Sequence, residues 1–303
     1  MSEGNPVPEL IDESPAKSDF TRVCKDLLAG TAGGIAQVLV GQPFDTTKVR
    51  LQTSRTPTTA STVVKDLVKN EGFRGFYKGT LTPLIGVGAC VSVQFGMNEA
   101  MKRLFRSRNP QQGDVLTLPQ YYACGFVGGT SNAFLASPIE HVRIRLQTQT
   151  KRGGAAEFRG PVDCIRKLVA QKVLMRGLSA AMLREAHGCG IYFLTYEALI
   201  AQQLKRRKLR TEIPAWKLCL YGGLSGMTLW LSVYPLDVVK SVMQTDNLTK
   251  PTLGSSPIQV ATTIYGKYGY SAFFKGFGPT MLRAAPANAV TFLAFEAVMR
   301  LVE

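Results

Sequence analysis

PFDTTKVRLQ (43–52), PIEHVRIRLQ (138–147) and PLDVVKSVMQ (235–244) are one ten-residue pattern written three times. Each copy opens on proline. An acid follows two residues on (Asp45, Glu140, Asp237), a base five residues on (Lys48, Arg143, Lys240) and a glutamine nine residues on (Gln52, Gln147, Gln244). The copies lie 95 and 97 residues apart, and each is trailed by a second short match: FYKG from Phe76, MRG from Met175 and FFKG from Phe273. Solenoid units repeat at about 20–50 residues. The longer period here suits a pair of long helices joined by a loop.

Working outward from the repeated pattern, four stretches carry no Lys, Arg, Asp or Glu: Leu27–Phe44, Gly79–Asn98, Val115–Ile139 and Leu218–Leu236. Each is long enough for a bilayer core, which takes about 20 residues per helix. Residues 177–200 and 276–299 match them but for charges, among them Arg184 and Glu185 deep in the first and Arg283 deep in the second. A mean hydropathy of only +0.04 averages this pattern away. Polar groups within such stretches suit helices with one side on lipid and the other on a wet cavity. Gly30 and Gly34, Gly125 and Gly129, and Gly222 and Gly226 form small-xxx-small pairs that let membrane helices approach closely. The sequence predicts an all-α membrane protein with six transmembrane helices in three pseudo-symmetric repeats. The repeats are placed at 21–110, 111–209 and 210–303, after an acidic tail over 1–20. That tail is neither a secretory signal nor an Arg-rich transit peptide.

The triple P-x-[DE]-x-x-[KR] with an aromatic-base-glycine match downstream resembles the mitochondrial carrier family, over about residues 20–302. Met175 replaces the aromatic in the second repeat. The resemblance implies a multi-pass transporter of the mitochondrial inner membrane, with short matrix helices within the repeats and alternating access to one central site. Within the family the chain is similar to the branch of carnitine/acylcarnitine and amino-acid carriers, and to fungal carriers associated with glutamate or related organic acids.

The repeated acid and base acquire a role on this reading. Proline kinks a helix, and residues three apart share a face. By resemblance Asp45 pairs with Arg143, Glu140 with Lys240 and Asp237 with Lys48, closing a matrix gate that Gln52, Gln147 and Gln244 brace. At the opposite ends of the even-numbered spans the family has an aromatic and an acid followed by a base. Here Glu99 keeps its base in Lys102. Glu197 has Ile200 where a base is expected, and Glu296 has Met299. This cytoplasmic gate is weaker, which would permit net uptake as well as exchange.

Arg184 and Arg283 each lie eight residues beyond the basic residue at the matrix end, about 12 Å deep at about 1.5 Å per residue. Gly86 is the matching position in the first repeat. Charge at this depth is costly and marks function. The two guanidinium forks suit carboxylates, and Glu185 suits an ammonium. Arg184 and Glu185 are adjacent, do not face each other on a helix, and so need other partners. His187, one turn from Arg184, can carry a proton. Gln94 and Cys90 continue the Gly86 face. His141 reads as a matrix-surface residue. The site predicts a small zwitterion, an amino acid such as glutamate, with carnitine or another organic acid as the alternative. No set of aromatic residues suggests a cage for a quaternary ammonium.

Other functions find little support. Net charge is +15, concentrated on the loops within the repeats rather than on an aromatic-rich nucleic-acid module. The run KRRKLR (205–210) reads as a solvated link between repeats. There is no nucleophile–base pair, metal spacing or phosphate loop, so neither enzyme nor cofactor is expected. By resemblance the Lys78-Gly79, Arg176-Gly177 and Lys275-Gly276 helix starts hold cardiolipin phosphate, and the chain works as a monomer.

Overall fold

The computed structural model describes the backbone of residues 20–54, 58–108, 116–149, 157–204, 213–248 and 251–302. It describes side chains from residue 28 on, except at a few helical positions including Glu296. The KRRKLR run lies outside the described residues.

Every repeat is a long helix containing the repeated proline, a short helix and a second long helix. The first has α1 (Phe20–Thr53), α2 (Ala60–Glu71) and α3 (Leu81–Arg108). The second has α4 (Leu118–Thr148), α5 (Pro161–Ala170) and α6 (Leu178–Leu204). The third has α7 (Ala215–Thr245), α8 (Pro257–Tyr268) and α9 (Phe277–Val302). No strand occurs among the described residues. The six long helices coincide with the six stretches expected to span. They remain helical through Pro43, Pro138 and Pro235.

Among the described residues no single helix is long and apolar enough to pass as a span by itself; only Phe73–Gly86 followed by Gly88–Arg108, bent by 47°, does so as a pair. The reason is two-sidedness. Each long helix turns polar and small residues to its neighbours and large apolar ones outward, as Ile85, Phe134, Leu183, Leu231 and Leu282 show by their exposure. A belt of this kind is rarely left to water. The short helices behave alike. Leu67, Leu168 and Ile264 face inward while Val68, Val169 and Tyr265 are exposed on the same helices. Apolar residues on both faces suit a helix lying at a membrane surface.

α4 packs on α3 and α6, α6 on α7, and α1 on α9. At Gly125 and Gly129 the α4 backbone meets α6 directly. A Cβ on Gly125 would stand 2.5 Å from the Cys189 carbonyl oxygen, and one on Gly129 closer still to that of Glu185. The other expected pairs differ. Gly30 and Gly34 face open space, and Gly222 meets only the Tyr192 hydroxyl. Spacing alone therefore marked three possible close approaches, but a tight one requires a partner backbone opposite.

Gly79, Gly177 and Gly276 precede α3, α6 and α9 with φ of 77°, 79° and 85°. Each packs on the proline helix of the next repeat, at the Arg143 carbonyl, the Gln244 side chain and the Lys48 carbonyl respectively. A side chain there would meet both left-handed strain and a neighbour. These glycines are the joints between repeats.

Candidate functional site

α1, α4 and α7 converge at the ends that carry the repeated pattern. Asp45 accepts from Arg143 at 2.7 Å, Lys48 reaches Asp237 at 3.0 Å, and Lys240 pairs with Glu140. Each pair joins two different proline helices, so the three close a ring, and all six side chains are largely buried. Buried pairs of this kind lose about 3–5 kcal/mol when one partner is removed.

The glutamines do not act alike. Gln52 donates to Asp237 at 2.9 Å. Gln147 donates to the Thr46 hydroxyl at 3.3 Å, and Gln244 lies against Gly177, so neither braces an ion pair as expected. Gln42, immediately before Pro43, takes that role by accepting from Arg143 at 2.7 Å. Beside Lys48 the residue before proline is Tyr234. Its ring centroid lies 5.5 Å from the ammonium, and that of Trp230 lies 4.2 Å away. Sequence reading missed this aromatic support. Aligning the three repeats one turn upstream of the prolines would have shown it, since Val38 and Ala133 stand where the third repeat has Trp230.

Arg184 and Arg283 lie directly above the ring. Arg184 donates to Glu140 at 3.2 Å and approaches Asp237 at 3.8 Å; it also pairs with Glu185. The expectation that adjacent Arg184 and Glu185 cannot meet is therefore overturned. Their Cβ atoms diverge, but the long guanidinium arm folds back across the turn. Arg283 reaches Asp45 at 3.3 Å and covers Gly41, where a Cβ would stand 2.5 Å from its Nε. Each of the three ring acids thus faces a ring base and one of the two deeper arginines.

The other expected site residues divide. Gly86 is buried against the Ile139 side chain, a packing contact rather than a ligand surface. Gln94 donates to the Cys189 thiol at 3.1 Å and accepts from Asn132 at 3.3 Å, one turn along α6 from Glu185. His187 turns to α4, where its Nδ1 and the Tyr122 hydroxyl are 2.9 Å apart, so its ring is committed to a helix seam and not to the acids around Arg184. At the far end Lys102 pairs with Glu99 of its own helix at 2.7 Å, which joins no two helices. Glu197 is half-buried on α6, and the Glu296 side chain lies outside the described residues. An aromatic group overlooked in the sequence flanks Lys102: Phe193 lies under its ammonium at 5.9 Å, edge-on to Phe95 and Tyr192.

His141 is fully buried rather than on the surface. It bonds to the Leu174 carbonyl at 3.0 Å and to Arg145, which donates onward to the carbonyls of Thr245 and Asp246 at 3.2 and 2.5 Å. In the first repeat Arg50 does the matching work, donating to the Gln147 carbonyl at 2.9 Å and pairing with Glu71 at 2.8 Å. Burial pushes the Glu71 carboxyl up, but hydrogen bonds from Arg50 and Lys78 outweigh it and hold the group below its ordinary range. Val242 occupies this position in the third repeat, so the ring seam from repeat 3 to repeat 1 has no such cation. No cluster of His, Cys, Asp and Glu is assembled for a metal ion among the described residues.

The chain matches the family described as mitochondrial carrier protein over residues 20–109, 114–206 and 211–303. It is 70% identical over 305 residues to the mitochondrial glycine transporter YMC1 of Saccharomyces cerevisiae, covering 99% of each chain. It is 48% identical to the glutamate/glycine mitochondrial carrier ymc1 of Schizosaccharomyces pombe, covering 90% of this chain and 93% of that one. It is 37% identical to a mitochondrial carnitine/acylcarnitine carrier-like protein of Arabidopsis thaliana, covering 90% and 96%. Three family matches on three structural repeats, each contributing one proline helix to a shared ring, make the chain a member of the mitochondrial carrier family, a multi-pass transporter of the mitochondrial inner membrane and not an enzyme.

Proposed function

We propose that the protein carries a small zwitterionic amino acid, glycine or glutamate, across the inner membrane by alternating access. The observation that carries this reading is the double engagement of Arg184 and Arg283. Both are buried, and both rest on acids of the ring. A substrate carboxylate that takes a guanidinium draws it away from its ring acid. Binding then weakens the ring at Asp45 through Arg283, and at Glu140 and Asp237 through Arg184. Glu185 is placed to receive the ammonium. Moving an equilibrium from 1:99 to 99:1 takes about 5.5 kcal/mol of differential binding, within reach of a few charge-assisted hydrogen bonds at about 1.5–3 kcal/mol each.

Two similar proteins bear glycine in their names, and one of them glutamate as well. The second arginine favours a dicarboxylate as a further substrate. Carnitine is the weaker reading. The aromatic group at Phe95, Tyr192 and Phe193 has Lys102 against it, a poor setting for a quaternary ammonium. We assign the ring end to the matrix and the Glu99–Lys102 end to the intermembrane side. All three repeats of the ring come from one chain, which supports a monomer. The helix starts after Gly79, Gly177 and Gly276 offer amides to an anionic lipid such as cardiolipin.

Liposomes holding the purified protein test this. Labelled glycine or glutamate should accumulate, and Arg283→Ala and Arg184→Ala should abolish uptake while the protein keeps its helical spectrum. Uptake of carnitine alone would overturn the amino-acid assignment. Comparing liposomes with and without internal amino acid separates exchange from net uptake.

A further inference from the structure

α3, α4 and α6 enclose a second set of polar side chains next to Glu185. Asn132 donates from Nδ2 to the Gln94 carbonyl oxygen at 3.3 Å, and Gln94 donates from Nε2 to the Cys189 thiol at 3.1 Å. The chain of amides therefore runs one way, and its open end is an acceptor. Asn132 is 6% exposed, and its Oδ1 has no hydrogen-bond partner. A buried amide oxygen left without a donor costs about 1–3 kcal/mol. The place of this orphan is informative. Asn132 follows Gly129, whose backbone touches Glu185, by one helical turn; Cys189 follows Glu185 by another. The aligned positions in the other repeats are Gln37 and Leu229, so an amide stands here in two repeats and an apolar side chain in the third.

Resting on the function proposed above, we infer that Asn132 is a specificity-determining contact of the transport site, its Oδ1 accepting an N–H from the substrate's primary ammonium beside Glu185. The zwitterion then lies across the bundle. Its carboxylate faces the guanidinium groups of α6 and α9, and its ammonium faces the acceptors of α4 and α6. A primary ammonium has three N–H groups and satisfies both Asn132 and Glu185. Each N-methyl group removes one N–H and adds bulk where α4 and α6 touch through Gly125 and Gly129.

The test measures uptake of glycine, N-methylglycine and N,N-dimethylglycine into liposomes by the wild type, Asn132→Leu and Asn132→Asp. The wild type should prefer glycine to N,N-dimethylglycine. Asn132→Leu, similar in size but without an acceptor, should raise KM for glycine about ten- to a hundredfold, the weight of one hydrogen bond to a charged group, with a smaller change in kcat. It should also shrink the preference for glycine over N,N-dimethylglycine. Asn132→Asp, which keeps the acceptor, should hold KM for glycine within a few-fold, and Asn132→Ala, which removes it, serves as the deciding variant if Asn132→Leu does not fold. Unchanged KM for glycine in Asn132→Leu, or a wild type indifferent to N-methylation, overturns the inference alone. Absence of any amino-acid uptake by the wild type overturns the proposed function and this inference with it.

Discussion

Single residues carry two kinds of information here. Arg184, Glu185 and Arg283 stand out in the sequence because a charge inside an apolar stretch is expensive and demands a reason. Their partners were not legible, since a guanidinium on a flexible arm can meet any acid within its reach, including the adjacent Glu185. Lys172 illustrates the reverse case. It closes the loop after α5 with φ of 56°, where repeats 1 and 3 use Gly72 and Gly269 after their short helices. A side chain in this left-handed conformation costs about 1–2 kcal/mol. Lys172→Gly should therefore raise the melting temperature in detergent, by an amount equivalent to about 0.5–1 kcal/mol once the extra freedom of glycine in the unfolded chain is set against the relief. Glu71 gives a prediction in pH. Its carboxyl is held below its ordinary value, so its stabilising contribution is complete above the unfolded pKa and is lost as pH falls through the folded one. The melting temperature of Glu71→Gln should lie below that of the wild type at neutral pH, and the gap should close as the medium is acidified below about pH 4.

At the scale of elements, the helices were readable and their contacts were not. Six long helices follow from six stretches of adequate length, and the repeated proline marks the same point in α1, α4 and α7. Gly125 and Gly129 bring two backbones together, whereas Gly30 and Gly34 face open space. Placing a methyl group on Gly129 must push α6 away from α4 and with it Glu185. Gly129→Ala should cost about 1–3 kcal/mol of stability by overpacking and depress transport, whereas Gly34→Ala, facing open space, should leave both within error. Melting temperature and initial uptake rate of the two variants, measured side by side, decide the point. His141 and Trp230 were misjudged or passed over for one reason. Whether a residue at a helix end is wet or enclosed depends on the neighbouring helix, here the segment around Leu174 for the first and the Lys48 ammonium for the second.

Across the whole molecule, three ion pairs of one chemical type are unequal because their surroundings differ. Lys48–Asp237 has aromatic faces and Gln52 around it, Arg143–Asp45 has Gln42 and Arg283, and Lys240–Glu140 has Arg184. Reversing both charges of a pair should therefore restore transport unevenly. Lys48→Asp with Asp237→Lys should recover more uptake than Asp45→Arg with Arg143→Asp, because a cation at position 45 would face Arg283, now 3.3 Å from the carboxylate, while Arg184 is 3.8 Å from Asp237. Equal recovery in liposome uptake would show that the deeper arginines do not act on the ring. The pairing within the ring was implied by the family resemblance. The amino-acid sequence by itself determined the three repeats, the six long helices and the charged positions set within them, which follow from periodicity and from the cost of charge in lipid, both of which act along the chain. Only the tertiary structure decided that the arginines rest on the ring acids, that His187 turns to Tyr122 and that Asn132 keeps an unmet acceptor. Those outcomes depend on which side chains three converging helices bring within about 3 Å, a distance that hydrogen bonding enforces and sequence spacing does not encode.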